Sequence, residues 1–179
     1  MPLTTWRRAG DEIRIMRYSD QLTSQEVVLI ESAEYPIEIQ ATGPKTGKLA
    51  SSSDSLPEVE VASPPEFGGP EAVWSPEHLF VASVSSCLMT TFQAIAANSG
   101  LTFLDYSDRA TGYLKRGDDR LYRIESITLR PSVVIEDESK VDRTLRLLTK
   151  AEAVCLISRS IDTTIELEPE VSVRHQVGT

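Results

Sequence analysis

Apolar positions along this chain follow two rhythms. Between Ser32 and Ala62 they alternate: Tyr35, Ile37, Ile39 and Ala41 occupy every second position, which predicts a half-buried strand. Pro36 inside that run places it at a sheet edge or a strand start. Thr42–Gly47, TGPKTG, reads as a turn and Lys48–Ser52 as a second short strand. Asp54–Pro57 turns again, and Val59 and Val61 mark a third strand. Ser63–Trp74 is a Pro/Gly-rich connection.

The rhythm then changes. Ser75–Gly100, SPEHLFVASVSSCLMTTFQAIAANSG, reads as one long helix. Ser75 is a good N-cap, Pro76 suits the first helical position, and Glu77 lies at the positive end of the helix dipole. Gly100 supplies a left-handed closing residue. Nearly every face between the caps is apolar or small, so the helix is expected to be buried all round.

Leu104–Leu114 and Tyr122–Ile135 read as strands flanking the polar loop Lys115–Arg120, a predicted hairpin. A second helix starts near Asp137, with Val141, Leu145, Leu148 and Cys155 on its core face. Thr163–Val173 gives a last strand, with Ile165 and Leu167 on one side. The order predicts an α+β fold, mainly antiparallel sheet with two buried helices. Residues 1–31 read less clearly. Ile13, Ile15 and Met16 fit a short strand, and Ser24–Ile30 fits strand or helix. This part is set apart as an N-terminal extension, with 32–179 as one domain.

The chain has 179 residues, 40% of them hydrophobic, enough for a single core. Its 27 acidic and 18 basic residues give a net charge of −9. That balance argues against nucleic acid and against an anionic membrane surface as partners. No apolar run approaches the roughly 20 residues that span a bilayer. Met1–Met16 lacks an apolar signal core, so a cytoplasmic location is expected.

The candidate chemistry lies in two cysteines, Cys87 and Cys155. Neither belongs to a CxxC motif, and His78 and His175 have no ligand-like spacing to them, so no metal site is expected. A free cysteine is often just a small buried hydrophobe. The sharper reading is a dithiol pair, if the two helices pack side by side and bring the Cα atoms within roughly 7 Å. A Cys–His hydrolase would need His78 from another copy of the chain. In one straight helix it stands nine positions before Cys87 and cannot pair with it.

SPEHLFVASVSSC (75–87) resembles the signature helix of the OsmC/Ohr family, the osmotically induced and organic hydroperoxide resistance proteins. The shared pattern is Pro-Glu, an apolar pair, small residues, then a cysteine ten positions after the glutamate, here Glu77 and Cys87. Ala151-Glu152 shortly before Cys155 looks like a second landmark of that family. Ala41–Pro70 looks like its N-terminal sheet and Gly-Gly loop. The resemblance covers roughly 32–173.

It implies an OsmC-like fold, mainly antiparallel sheets wrapped around two central helices, as an intertwined homodimer. It implies reduction of organic hydroperoxides with Cys87 peroxidatic and Cys155 resolving. The reductant would be a dithiol, often of lipoyl type, and no metal, flavin or haem cofactor is used. On that reading Phe80, Leu88 and Phe92 would line an apolar substrate pocket. Glu77 and Cys87 lie about 15 Å apart along a straight helix, so a shared site needs a second, antiparallel copy crossing near Ala82 and Ser83.

Two departures from the family stand out. Lys45 occupies the turn where hydroperoxide reductases carry an arginine, and lysine lacks the planar guanidinium fork. It would still favour a Cys87 thiolate. Leu156 follows Cys155 where proline is usual, which predicts a helix running on through Cys155. The alternative function is a non-catalytic OsmC-like dimer that binds an apolar ligand or serves as a stress-response scaffold.

Overall fold

Three runs that read as single strands each break in two. The computed structural model, which describes residues 31–51 and 56–174, has β4 (Asp105–Asp108) and β5 (Thr111–Arg116) where 104–114 looks continuous. Tyr122–Ile135 becomes β6 (Tyr122–Leu129) and β7 (Pro131–Ile135). The last run becomes β8 (Thr164–Leu167) and β9 (Glu170–Val173). The halves separate into two sheets, ordered β4-β7-β9 and β5-β6-β8. Pro131 and Pro169 lie at two of the breaks, where a missing N–H ends a ladder. At the junction the Arg130 N–H donates to Asp108 Oδ1 at 2.8 Å. β4–β7 and β5–β6 pair antiparallel, the latter as the expected hairpin, while β6–β8 and β7–β9 are parallel.

A third sheet holds β1 (Glu38–Ala41), β2 (Thr46–Ala50) and β3 (Val59–Ala62), antiparallel in that order. β1 follows Pro36 and is the edge strand. It is not half-buried as its alternation predicts: all four residues are exposed, and Ile39 keeps 68% of its surface. The alternation is real, but among the described residues no other element covers the face it marks.

The long helix, α1, spans Pro76–Asn98 between the caps read from the sequence. Ser75 Oγ accepts from the His78 N–H at 3.3 Å, and Gly100 has φ +66°. Its burial differs from expectation. Val84, Leu88, Phe92 and Ala96 are fully buried at four-residue spacing, whereas Ser86, Thr90, Gln93, Ala94 and Ala97 are exposed. Among the described residues, one face is covered and the opposite face is not. With an 18-residue window of mean hydropathy 1.6, α1 is also long and apolar enough to cross a membrane by length and composition. This corrects the expectation that no such run exists.

α2 (Val141–Val154) follows a 3-10 turn, Glu138–Lys140, capped by Asp137, whose Oδ1 accepts from the Ser139 N–H at 3.0 Å. Thr144, Leu148 and Ala151 form its buried stripe. α1 and α2 pack together, and Arg143 donates to the Ser99 carbonyl at the end of α1. The core joins Val84, Leu88, Phe92 and Leu148 to Ile127, Leu129, Val133 and Ile135 of β6 and β7. Each such side chain contributes about 1.5–3 kcal/mol by leaving water.

By contacts the chain divides into Met1–Tyr35 and Pro36–Thr179. Of the first unit, residues 31–35 are exposed and without regular structure. The readings at Ile13, Ile15, Met16, Ser24–Ile30, Ser52–Ser55 and His175 lie outside the described residues.

Candidate active site

The side-by-side packing of α1 and α2 brings the two thiols together. Cys87 sits in the middle of α1, one position off the buried stripe, and keeps partial exposure. Cys155 follows the last residue of α2 and is fully buried. Its φ of −59° and ψ of +121° take the backbone out of the helix. The helix therefore does not run through Cys155, as Leu156 had led one to expect. The Cys155 N–H still closes onto the Glu152 carbonyl at 3.0 Å. The Arg159 N–H then bonds the Cys155 carbonyl at 3.1 Å, leading into the 3-10 turn Ser158–Ser160. Leu156 is left 69% exposed beside the thiol pair.

The two thiols are neighbours, and their environments push them apart in acidity. Burial opposes ionisation of Cys87, but the donors around its sulfur outweigh burial. These are the Cys155 thiol, the Ile157 N–H, the Thr91 hydroxyl and the Leu156 N–H. The Cys87 thiol is thus held below its ordinary value. Burial pushes Cys155 up, and Cys87 beside it adds to that, only partly offset by Ser158. The first proton to leave the pair comes from Cys87, and Cys155 remains a protonated thiol beside it. One acidic, accessible sulfur beside a protonated, buried one is a nucleophile with a partner ready to condense.

The other expected site residues are not gathered at this spot. Lys45 is exposed, and its Nζ donates to the Phe67 carbonyl at 2.6 Å. Glu77, in the first turn of α1, has a buried Oε2 with no hydrogen-bond partner. His78 Nδ1 lies 2.8 Å from Ser75 Oγ, and its ring meets Trp74 edge-on. Leu88 and Phe92 have no exposed surface, because they stand on the inward stripe of α1; Phe92 packs against Phe103 and Tyr106. They shape the core rather than an open pocket, and half-buried Phe80 packs on the same core. Among the described residues no three His, Cys, Asp or Glu side chains are grouped to hold a metal ion. Three contributors to the thiol site were not read from the sequence: Thr91 and the N–H groups of Leu156 and Ile157. Thr91 had a signal, since it stands one helical turn after Cys87 on the same face. The amides had none.

The sequence profile of OsmC-like proteins matches residues 69–170, from the loop before α1 to the first residue of β9. The chain belongs to the OsmC-like protein family. An uncharacterized protein of Bacillus subtilis, YmaD, is 32% identical over 117 residues, 64% of this chain and 77% of that one. Among solved structures, an OsmC-like protein of unknown function from Vibrio cholerae superposes with a TM-score of 0.70 at 23% identity. The match covers 77% of this chain and 99% of that one. An organic hydroperoxide resistance protein from Elizabethkingia anophelis gives a TM-score of 0.63 at 23% identity, covering 81% and 100%. At these identities the structures establish the OsmC-like fold.

Proposed function

We propose that this OsmC-like protein is a thiol peroxidase acting on organic hydroperoxides. The observation that carries the reading is the Cys87–Cys155 pair: an accessible thiol held acidic, beside a buried thiol held protonated. The Cys87 thiolate attacks the terminal peroxide oxygen. The O–O bond breaks, an S–O bond forms, and the alkoxide leaves with a proton as the alcohol. The Cys155 sulfur then attacks the sulfenic acid, giving a disulfide and water. An external dithiol, for which a lipoyl group is the natural candidate, takes up the oxidation and returns both thiols. Resident metal or flavin has no part in this sequence. Exposed Val154 and Leu156, on either side of Cys155, favour bulky alkyl peroxides over hydrogen peroxide.

The working unit is a homodimer in a reducing, cytoplasmic setting. Its support is the uncovered face of α1, where small side chains such as Ala82, Ser83, Ser86 and Ala94 permit close approach, and the lone buried oxygen of Glu77. An antiparallel partner crossing near Ala82 and Ser83 would cover the first and bring Glu77 towards Cys87 of the partner subunit. The arginine-like role expected of Lys45 is left out of this reading, because its ammonium is committed to the Phe67 carbonyl.

The test is mass spectrometry of the reduced protein after a stoichiometric pulse of cumene hydroperoxide. Loss of two hydrogens, mapped to a Cys87–Cys155 disulfide, is the expected result. If wild type and Cys87→Ser consume peroxide equally slowly, the reading fails. The bare dimer that binds an apolar ligand then takes its place, favoured by the engaged Lys45.

A further inference from the structure

The threonines of the two helices divide into two groups. Thr90, Thr144 and Thr149 each donate their hydroxyl to a carbonyl one turn back, at 3.1, 2.9 and 3.1 Å. This is the usual way a helix absorbs a threonine. Thr91 is the exception. Its Oγ1 lies 4.0 Å from Cys87 Sγ, and the Cys87 carbonyl it would otherwise use already accepts from Thr90 at 3.1 Å. The half-buried hydroxyl of Thr91 faces the sulfur instead. Such contacts are often long in a resting enzyme and tighten once charge develops.

The cation that family resemblance would put at this thiol is tied down elsewhere. Lys45 stands in the β1–β2 turn. Its Nζ donates to the Phe67 carbonyl, and its own carbonyl accepts from the Ser63 N–H at 3.0 Å. Gly68, with φ +76°, completes the fit: a Cβ there would stand 2.5 Å from Lys45 Nζ. A left-handed glycine, a carbonyl at the end of the 3-10 turn Pro65–Phe67 and a lysine thus form one closed contact.

We propose that Thr91 is the positioning residue for the Cys87 nucleophile, and that Lys45 is a structural clamp on the Pro65–Gly68 turn rather than the counter-cation of the thiolate. The inference rests on reading Cys87 as the nucleophile. The groups that bear most on that thiol are its burial, Cys155, Ile157, Thr91 and Leu156, and none of them carries a charge. The charged side chains flanking the thiol turn are Glu152 and Arg159. Within one chain the site therefore works by neutral groups about the sulfur, an arrangement that salt screens little.

The experiment is iodoacetamide alkylation of the reduced full-length protein across pH, with Cys87 followed by peptide mapping. Thr91→Val should move the half-point of the profile upward and slow labelling at pH 7 roughly three- to tenfold, since rate follows the thiolate fraction. Thr91→Ser should restore it to within about twofold. Lys45→Gln and Arg159→Gln should leave the profile in place, while Lys45→Gln lowers Tm by roughly 2–4 °C through the lost clamp. A wild-type profile in Thr91→Val would overturn the proposal, and so would an upward shift in Lys45→Gln or Arg159→Gln. Lys45→Met repeats the test if the glutamine variant folds poorly. Peroxide turnover by wild type is measured separately: its absence would sink the peroxidase reading and leave the alkylation profiles to judge Thr91.

Discussion

α1 and α2 pack against each other but use their apolar residues in opposite ways. α2, 14 residues long, is polar outside and buries one stripe at Thr144, Leu148 and Ala151. Its own chain completes it. α1, 23 residues long, is apolar or small nearly all round, and only Val84, Leu88, Phe92 and Ala96 are fully buried. An amphipathic helix needs one neighbour; the outer side of α1, with Ser86, Thr90, Gln93, Ala94 and Ala97, is small-residued and open. The thiols follow the same division. Cys155 belongs to the finished helix and is sealed, whereas Cys87 stands at the border of the unfinished one and keeps access to solvent.

Serine replacement breaks that division most sharply. Cys87→Ser should abolish peroxide consumption, a loss of at least a hundredfold, because no other thiol is both accessible and acidic. Cys155→Ser should keep one turnover, leave a sulfenic acid that dimedone traps, and lose multiple turnover. Equal losses from both variants, with no trapped sulfenic acid, would contradict the assignment. Next in size is the core that holds the helices together. Leu148→Ala removes a fully buried side chain facing α1 and should cost about 2–5 kcal/mol, read by urea denaturation. Ala82→Arg, on the less buried side of α1, probes the second face. The expected result is a shift towards monomer in analytical ultracentrifugation with the circular dichroism spectrum intact. An unchanged dimer, or a monomeric wild type, would mean that something else covers that face.

Much of this was legible in the chain, for reasons that differ by element. The limits of α1 were readable because Ser75, Pro76 and Gly100 are local signals, and each acts within a turn of itself. The start of α2 was readable from Asp137 for the same reason. The breaks at Arg109–Ala110, Arg130 and Glu168–Pro169 were not, because a strand that passes from one sheet to the next keeps its alternation. Pro131 and Pro169 were the available clues. The burial of α1 misled because composition shows that a face is apolar but not whether this chain covers it. At the site, the cysteines stand out as rare residues in a family pattern. The direction in which Lys45 points and the amides of residues 156–157 depend on tertiary turns that no spacing rule encodes.

The finest test of the comparison is the order in which the two thiols ionise. Cys87 is held below the ordinary thiol range by its donors, burial notwithstanding, and Cys155 is pushed above it chiefly by burial. With rising pH, Cys87 should therefore alkylate first, at a half-point below the ordinary value of about 8.5, and Cys155 only above it. Each unit between the half-points is about tenfold in relative rate at neutral pH. The stability contributions carry opposite signs. The depressed Cys87 contributes above the ordinary thiol value and loses that contribution as pH falls through its folded value. The raised Cys155 contributes below the ordinary value and loses it as pH rises towards its own. Melting across pH 7–10 should thus show Cys155→Ser flattening the alkaline decline and Cys87→Ser flattening the acid side of the same window. If Cys155 labelled first, the buried thiol would be the nucleophile, and the roles drawn from the two helices would be exchanged.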